Sequence, residues 1–324
     1  MVGLHDKTDN WVTGEKEMEK VAVDYFSDLF TTTSPDDFTD ILEGIPAVIT
    51  ETDNALLMRP ASEEEVRAAL FLMNPEKAPG PDGMTALFFQ KSWPLIKTDI
   101  LGLINDFLIT GAFDDRLNLT NICLIPKTER PTRMTELRPI SLSNFGDPVS
   151  FCPRETDLGQ YSDSTRNVSW PKDKQSCKGK YMAVKTDMSK AYDRVEWQFV
   201  EATMRKMGFG ERWIGWIMKC IKSVVYKVLI NGQPRGKITP NRGLRQGDPL
   251  SPYIFILCTE VLISNLKRAE SVKSLTGLKV ARASPPVSHL LFADDSLFFC
   301  KARLRRVQFY YKFFRTTNGH QAKK

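Results

Sequence analysis

The chain has 324 residues, of which 42% are hydrophobic and 26% charged, which is typical of a globular protein with one large domain or two small ones. The formal net charge of +6 suggests a polyanionic partner, but eight basic side chains lie in residues 301–324, where no acidic residue offsets them, and without them the rest carries −2. Net charge alone therefore gives little support for nucleic-acid binding.

The cysteine and histidine content argues against a zinc site. The six cysteines are scattered, no Cys-x-x-Cys pair occurs, and there are only three histidines. This pattern is typical of a reduced intracellular protein. The first ten residues lack the apolar core of a signal peptide, and the most apolar run, Tyr253 to Ile263, is short and contains Glu260. The sequence therefore predicts no contact with a membrane.

The first 60 residues predict one amphipathic helix, Val21 to Phe30, followed by a polar loop, and we interpret them as a helical lead-in or linker. The next helix is better marked. Ser62 and Glu65 form a capping box, and apolar residues then recur at helical spacing until Asn74.

Two extended segments follow a loop with two prolines and two glycines, residues 77–83, and a helix expected from Trp93 to Leu108. The first is Asn121 to Pro126, and the second is Leu137 to Leu142. Each places a cation at the end of a strand. Residues 145–180 contain almost no aliphatic side chains, so they would bury little surface and are expected to be disordered.

Regular structure returns after residue 180. The pattern predicts a strand at Tyr181 to Thr186, helices at Trp197 to Met207 and at Trp213 to Ile221, and a β-hairpin turning at Asn231-Gly232. The tryptophans and isoleucines of the second helix are expected in the core.

Three acidic residues stand where strands end. Asp187 follows the strand that begins at Tyr181, and Asp294-Asp295 separates two short apolar runs. Adjacent carboxylates repel each other unless a cation stabilises both charges. Oxygen ligands without nearby cysteine or histidine favour magnesium or manganese over zinc. The alternative interpretation of Asp294-Asp295 is a plain acidic hairpin turn.

Six motifs occur in a fixed order, and together they cover most of residues 61–144 and 181–300. They are Pro75–Gly83, Leu124–Lys127, Leu137–Leu142, Lys185–Asp193, Gly243–Pro252 and Phe292–Asp295. In these motifs the chain resembles the reverse transcriptases of LINE-type, non-LTR retrotransposons, especially their plant members.

The resemblance implies an α+β fold with the fingers and palm of a reverse transcriptase, in which helices pack on an antiparallel palm sheet. Residues 61–144 would form the fingers and 181–300 the palm. Residues 145–180 lack the Leu- and Lys-rich stretch that relatives have there, so this segment looks aberrant, as after a frameshift or a misannotated exon. The basic tail, 301–324, loses the family pattern where a thumb should begin, so we expect a truncated, partly scrambled copy without a thumb.

The resemblance also implies the chemistry of an RNA-directed DNA polymerase, which adds deoxynucleotides to a primer 3′-hydroxyl by two-metal catalysis. Asp187, Asp294 and Asp295 would be catalytic and would hold two magnesium or manganese ions, with the backbone carbonyl of Met188 as a further ligand. The partners would be an RNA template, a DNA primer and deoxynucleoside triphosphates.

The nucleotide-binding residues implied by the resemblance are Lys127, Arg138, Tyr192, Gln246, Gly247 and Ala293. The two cations would bind the triphosphate, the tyrosine ring would block a ribose 2′-hydroxyl, and the alanine would leave room for the primer end. Gln246 and Gly247 would lie along the nucleotide and its template base. These assignments have competing interpretations. Lys127 and Arg138 could be ordinary surface cations, Tyr192 could be a core residue, and the segment around Gln246 and Gly247 could be a simple turn.

Two alternatives to an active reverse transcriptase remain open. The first is a catalytically inactive remnant that at most binds nucleic acid through Lys127, Arg138 and the basic tail. A group II intron maturase or a telomerase-like enzyme would share the palm, but it should carry a different hairpin motif and further basic domains. Action in the nucleus is expected from the family alone.

Overall fold

The computed structural model describes residues 1–32, 37–144, 181–187, 190–279, 284–292 and 295–301. The segment 145–180, for which disorder was expected, lies outside the described residues, as does nearly all of the basic tail.

The described residues contain eight α-helices and nine strands. The helices are α1 (Glu15–Leu29), α2 (Thr39–Leu42), α3 (Glu51–Leu57), α4 (Glu63–Leu72), α5 (Ala86–Thr110), α6 (Trp197–Met207), α7 (Glu211–Lys222) and α8 (Ser251–Ser271). The strands are β1 (Leu4–His5), β2 (Trp11–Val12), β3 (Leu119–Pro126), β4 (Leu137–Ser143), β5 (Tyr181–Asp187), β6 (Val225–Ile230), β7 (Gln233–Ile238), β8 (His289–Phe292) and β9 (Asp295–Lys301).

The strands form three sheets. A four-stranded sheet has the order β4-β3-β6-β7, in which β3 and β6 are parallel and the other pairs antiparallel. A three-stranded antiparallel sheet has the order β5-β9-β8, and β1 and β2 form a small hairpin. Helices packed with mainly antiparallel strands confirm the predicted α+β class.

The N-terminal helix is longer and better packed than the sequence indicated. α1 begins at Glu15 instead of Val21 and buries one face against β6 and β7. The buried residues are Met18, Ala22, Phe26 and Leu29, which join the core of the four-stranded sheet. This part of the segment 1–60 is thus an integral part of the core and not only a linker that precedes it.

Helices α4 and α5 pack on each other in a core of their own. The capping box of Ser62 and Glu65 is confirmed. The start of α5 was predicted too late, at Trp93, because the helix begins after Thr85, whose side chain accepts a hydrogen bond from the Phe88 amide. It ends as expected before Gly111, which has a φ of 70°.

Helices α6, α7 and α8 surround the largest core. α6 has the predicted bounds, and Ile214, Trp216 and Ile221 of α7 are buried as expected. The sequence pattern did not reveal α8, which contains the apolar run from Tyr253 to Ile263. None of the helices in the described part of the chain is long and apolar enough to cross a membrane.

The predicted β-hairpin is confirmed as β6 and β7. Asn231 and Gly232 both have positive φ angles, 51° and 80°, as a two-residue turn between twisted strands requires. The predicted strands β3, β4 and β5 are confirmed as well, each within two residues of its expected bounds.

Candidate active site

Two of the three predicted catalytic aspartates belong to one end of the three-stranded sheet. β5 and β9 are antiparallel, and their register sets Asp187 directly opposite Asp295. β8 and β9 form a hairpin in which Phe292 is paired with Asp295. Ala293 and Asp294 make the connection between these strands, but they lie outside the described residues, as does Met188.

This register has an electrostatic consequence. Residues directly opposite each other on neighbouring strands share a face of the sheet, and their Cβ atoms are about 4.5–5.5 Å apart. Like charges at such positions generally repel each other, and a bound divalent cation offsets that repulsion. A pair of hard carboxylates at a strand end fits a divalent ion of the magnesium type.

A second part of the site is formed by two chain segments, 190–196 and 242–248, which lie side by side. The Gly243 amide donates to the Val195 carbonyl at 2.8 Å, and the Leu244 amide donates to the Tyr192 carbonyl at 2.7 Å. The indole of Trp197 donates to the Gly243 carbonyl, also at 2.8 Å. These bonds bring the motif around Tyr192 against the motif around Gln246.

Gln246 and Gly247 are tied to the edge strand β4. The Ser141 amide donates to the Gln246 carbonyl at 2.8 Å. Gly247 has a φ of +100°, and a Cβ there would lie 3.2 Å from the Ser141 carbonyl oxygen, so glycine is needed for conformation and space. The Lys77 side chain donates to the Gly247 carbonyl, which links the loop 77–83 to the same place.

Tyr192 lies in a 3-10 turn, Tyr192–Arg194, and is half-buried. Its ring stacks on Phe255 of α8, with centroids 4.7 Å apart and an angle of 13° between the planes. The packing holds the tyrosine ring in one orientation beside the segment that carries Gln246.

The two predicted triphosphate ligands, Lys127 and Arg138, are exposed. Lys127 directly follows β3, and its Nζ donates to the Thr135 carbonyl at 3.1 Å. Arg138 is on β4, opposite Ile125 of β3. Both cations thus lie at one end of the β3–β4 pair. The same pair contacts Gln246, because Ser141 of β4 donates to the Gln246 carbonyl.

Asp193 belongs to this site, although the sequence analysis gave it no role. Only 3% of the residue is exposed, and its Oδ1 accepts a hydrogen bond from Gln246 Nε2 at 3.1 Å. Burial raises the pKa of the carboxyl to about 6. The hydrogen bond from Gln246 and the positive charges of Lys190, Lys127 and Arg194 act in the opposite direction and lower the pKa, but burial has the larger effect. The position of Asp193 directly after Tyr192 in a motif was the signal that could have identified it.

A buried ion pair within the loop 242–248 also holds the loop in place. Arg245 and Asp248 form this pair, with side chains only 5% and 4% exposed. The Arg245 guanidinium also donates to Asn118, whose amide in turn donates to the Cys220 carbonyl at 2.7 Å. The loop that carries Gln246 and Gly247 is therefore anchored to the protein core.

Comparison with known proteins gives the family. The family model described as reverse transcriptase (RNA-dependent DNA polymerase) matches residues 125–323, more than half of the chain. An uncharacterized mitochondrial protein of Arabidopsis thaliana is 60% identical over 68 residues, which are 21% of this chain and 56% of that protein.

Two longer matches are to proteins of transposable elements. An uncharacterized 149 kDa protein of the transposon TX1 from Xenopus laevis is 26% identical over 81% of this chain and 21% of its own length. The Pol polyprotein of the type-2 retrotransposable element R2DM from Drosophila melanogaster is 24% identical over 88% of this chain and 27% of its own length. The chain thus spans only part of each relative. It belongs to the family of reverse transcriptases, or RNA-dependent DNA polymerases, and its domain is of the LINE type.

Proposed function

We propose that this chain itself catalyses RNA-directed DNA synthesis, adding deoxynucleotides to a primer 3′-hydroxyl. The observation that carries the proposal is the register that pairs Asp187 with Asp295. Tyr192 and Asp193, which follow Asp187 closely in the chain, contact the loop of Gln246, and this supports one site that contains both the acidic strand ends and the nucleotide-binding candidates.

In this proposal, residues 61–144 are the fingers and 181–300 the palm. The palm comprises the three-stranded sheet, the hairpin of β6 and β7, and α6, α7 and α8, and the fingers include α4, α5, β3 and β4. The N-terminal segment 1–60, the segment 145–180 and the basic tail 301–324 complete the division that we propose. The two main parts are joined by the parallel pairing of β3 with β6, and also by the bonds of Gln246 and Gly247 to Ser141 and Lys77.

Asp187, Asp294 and Asp295 would hold two magnesium or manganese ions, with the carbonyl oxygen of Met188 as a further ligand. Two such ions supply a lowered pKa for the primer hydroxyl and neutralise charge on the departing pyrophosphate. The carboxylates would hold the two ions, and the loss of one carboxylate would leave charge uncompensated in the transition state.

The remaining residues would bind the nucleotide. Lys127 and Arg138 are exposed cations that would contact the triphosphate, for which the forked guanidinium of Arg138 is well suited. Tyr192, supported by Phe255, would exclude a ribose 2′-hydroxyl. Gln246 and Gly247 would lie along the nucleotide, and Ala293 would leave space for the primer end.

Primer extension on an RNA template with a DNA primer tests the proposal, in magnesium and then in manganese. The unmutated protein should extend the primer, and Asp294→Ala should abolish extension because a metal loses a ligand. The matched control is Asp99→Ala, which removes an exposed carboxylate from α5 and should extend like the unmutated protein. Full activity of Asp294→Ala would refute the site assignment.

The second candidate function is nucleic-acid binding without catalysis, which the exposure of Lys127 and Arg138 favours. It predicts that folded protein binds RNA in a salt-dependent manner but extends no primer. Replacing both cations by glutamine should then weaken binding. Extension by the unmutated protein would refute this alternative.

A further inference from the structure

Asp193 and Gln246 form a contact that joins two motifs 53 positions apart in the chain. The carboxylate is almost completely buried, and its backbone is also pressed against the loop, since a Cβ on Gly243 would lie 2.9 Å from the Asp193 carbonyl oxygen. Asp193 therefore has little freedom to move independently of the loop that carries Gln246.

Gln246 is held at two points. The Ser141 amide binds its backbone carbonyl at 2.8 Å, and Asp193 binds its side-chain Nε2 at 3.1 Å. The freedom that remains is rotation of the terminal amide, which exchanges a donor for an acceptor. An ionised carboxylate accepts hydrogen bonds only, so it selects the orientation in which Nε2 faces Asp193 and Oε1 lies on the opposite side.

We propose that Asp193 is a positioning residue of the nucleotide site, whose carboxylate orients the Gln246 amide so that Oε1 is presented to a hydrogen-bond donor of the incoming deoxynucleotide. The inference rests on the proposed function for the identity of the ligand. The orientation of Gln246 by Asp193 rests on the contact alone. Burial of the Asp193 carboxylate costs folding free energy because it disfavours the charged form. A role in positioning Gln246 accounts for a carboxylate at this position.

The charge of Asp193 decides the orientation, so the groups around it matter. Lys190 and Arg194 lie on its own segment, Lys127 follows β3, Tyr25 is on α1 and Tyr226 is on β6. Lys190 donates to the Tyr25 hydroxyl and lies 4.5 Å from the ring centroid. The raised pKa of Asp193 leaves the carboxyl ionised at pH 7–8 and protonated in mild acid, where it becomes a donor and no longer selects one orientation.

The first part of the test measures KM and kcat for a deoxynucleotide between pH 5.5 and 8. In the unmutated protein, KM should rise as the pH falls through the Asp193 pKa, about 6. Asp193→Asn, which has nearly the same shape, should raise KM about 2- to 10-fold at pH 8, the size of one hydrogen bond, with a smaller effect on kcat and no further change in acid. Asp99→Asn is the matched control and should keep the profile of the unmutated protein.

The second part needs no activity. The titration of the Asp193 carboxyl is followed by carbon NMR in the unmutated protein and in Gln246→Ala. Loss of the hydrogen bond that favours the ionised form should raise the Asp193 pKa further. An unchanged titration means that the contact does not form and overturns the inference.

The outcomes separate the two proposals. If the unmutated protein extends no primer but the carboxyl titration responds to Gln246→Ala, the proposed function fails and the orientation of Gln246 by Asp193 stands. If extension occurs but Asp193→Asn keeps both KM and its pH profile, the proposed function stands and the positioning role is refuted. Thermal unfolding of each variant verifies that it is folded.

Discussion

Gly243 occupies a backbone conformation that a residue with a side chain adopts only under strain. Its φ is +94°, and an added Cβ would lie 2.9 Å from the Asp193 carbonyl oxygen. Gly243→Ala should therefore lower the free energy of unfolding by about 1–3 kcal/mol, measured by chemical denaturation. The control is Gly102→Ala in α5, where a Cβ meets nothing within 4 Å and stability should rise by about 1 kcal/mol. Equal stability of the two variants would contradict the expectation.

Phe255 supports the ring of Tyr192, which we expect to select deoxynucleotides. Phe255→Leu removes the stacked ring, so the tyrosine should become more mobile and the preference for deoxynucleotides over ribonucleotides should fall. The preference is measured as the ratio of kcat/KM for the two substrates. Phe199→Leu, which disturbs a ring pair with Phe38 elsewhere, is the control and should leave the ratio unchanged. A ratio that falls equally in both variants would indicate a general loss of stability.

At the scale of elements, the loop 242–248 is joined to the core by Arg245 and Asp248. Asp248→Asn removes the carboxylate that compensates the buried guanidinium charge, which should cost about 3 kcal/mol of unfolding free energy. Asp115→Asn weakens an exposed pair with Lys219 and should cost less than about 1 kcal/mol. Denaturation curves of the two variants measure the difference. Similar losses would mean that the buried pair is not important for the loop.

At the scale of the whole molecule, the N-terminal helix α1 is part of the core of the four-stranded sheet. Phe26 is fully buried and stacks on Phe30, with ring centroids 5.7 Å apart, and Phe30 in turn stacks on Tyr226 of β6. Phe26→Ala should lower the free energy of unfolding by about 3–5 kcal/mol. Trp11→Ala, at a residue 47% exposed, should cost much less. A small loss at Phe26 would show that α1 is dispensable.

The sequence by itself determined the local elements and the family. The capping box at Ser62, the strand at Tyr181, the helix from Trp197 and the turn at Asn231 depend on hydrogen bonds and periodicities within a few residues, which the sequence displays directly. The six ordered motifs indicate a reverse transcriptase in the same way, because their residue types and order are visible in the chain itself. The roles of all the predicted catalytic, metal-binding and nucleotide-binding residues remain predictions from those motifs.

Only the tertiary structure decided which distant residues meet. The family resemblance already implied that Asp187 and Asp295 come together, but their register on the sheet, the burial of Asp193 against Gln246 and the packing of α1 on β6 and β7 join positions tens to hundreds of residues apart. No local pattern encodes such contacts, because they depend on how helices and strands pack to bury apolar surface. For the same reason α8 was not predicted from the sequence: it is packed on several sides, so its pattern is not that of a helix with one apolar face.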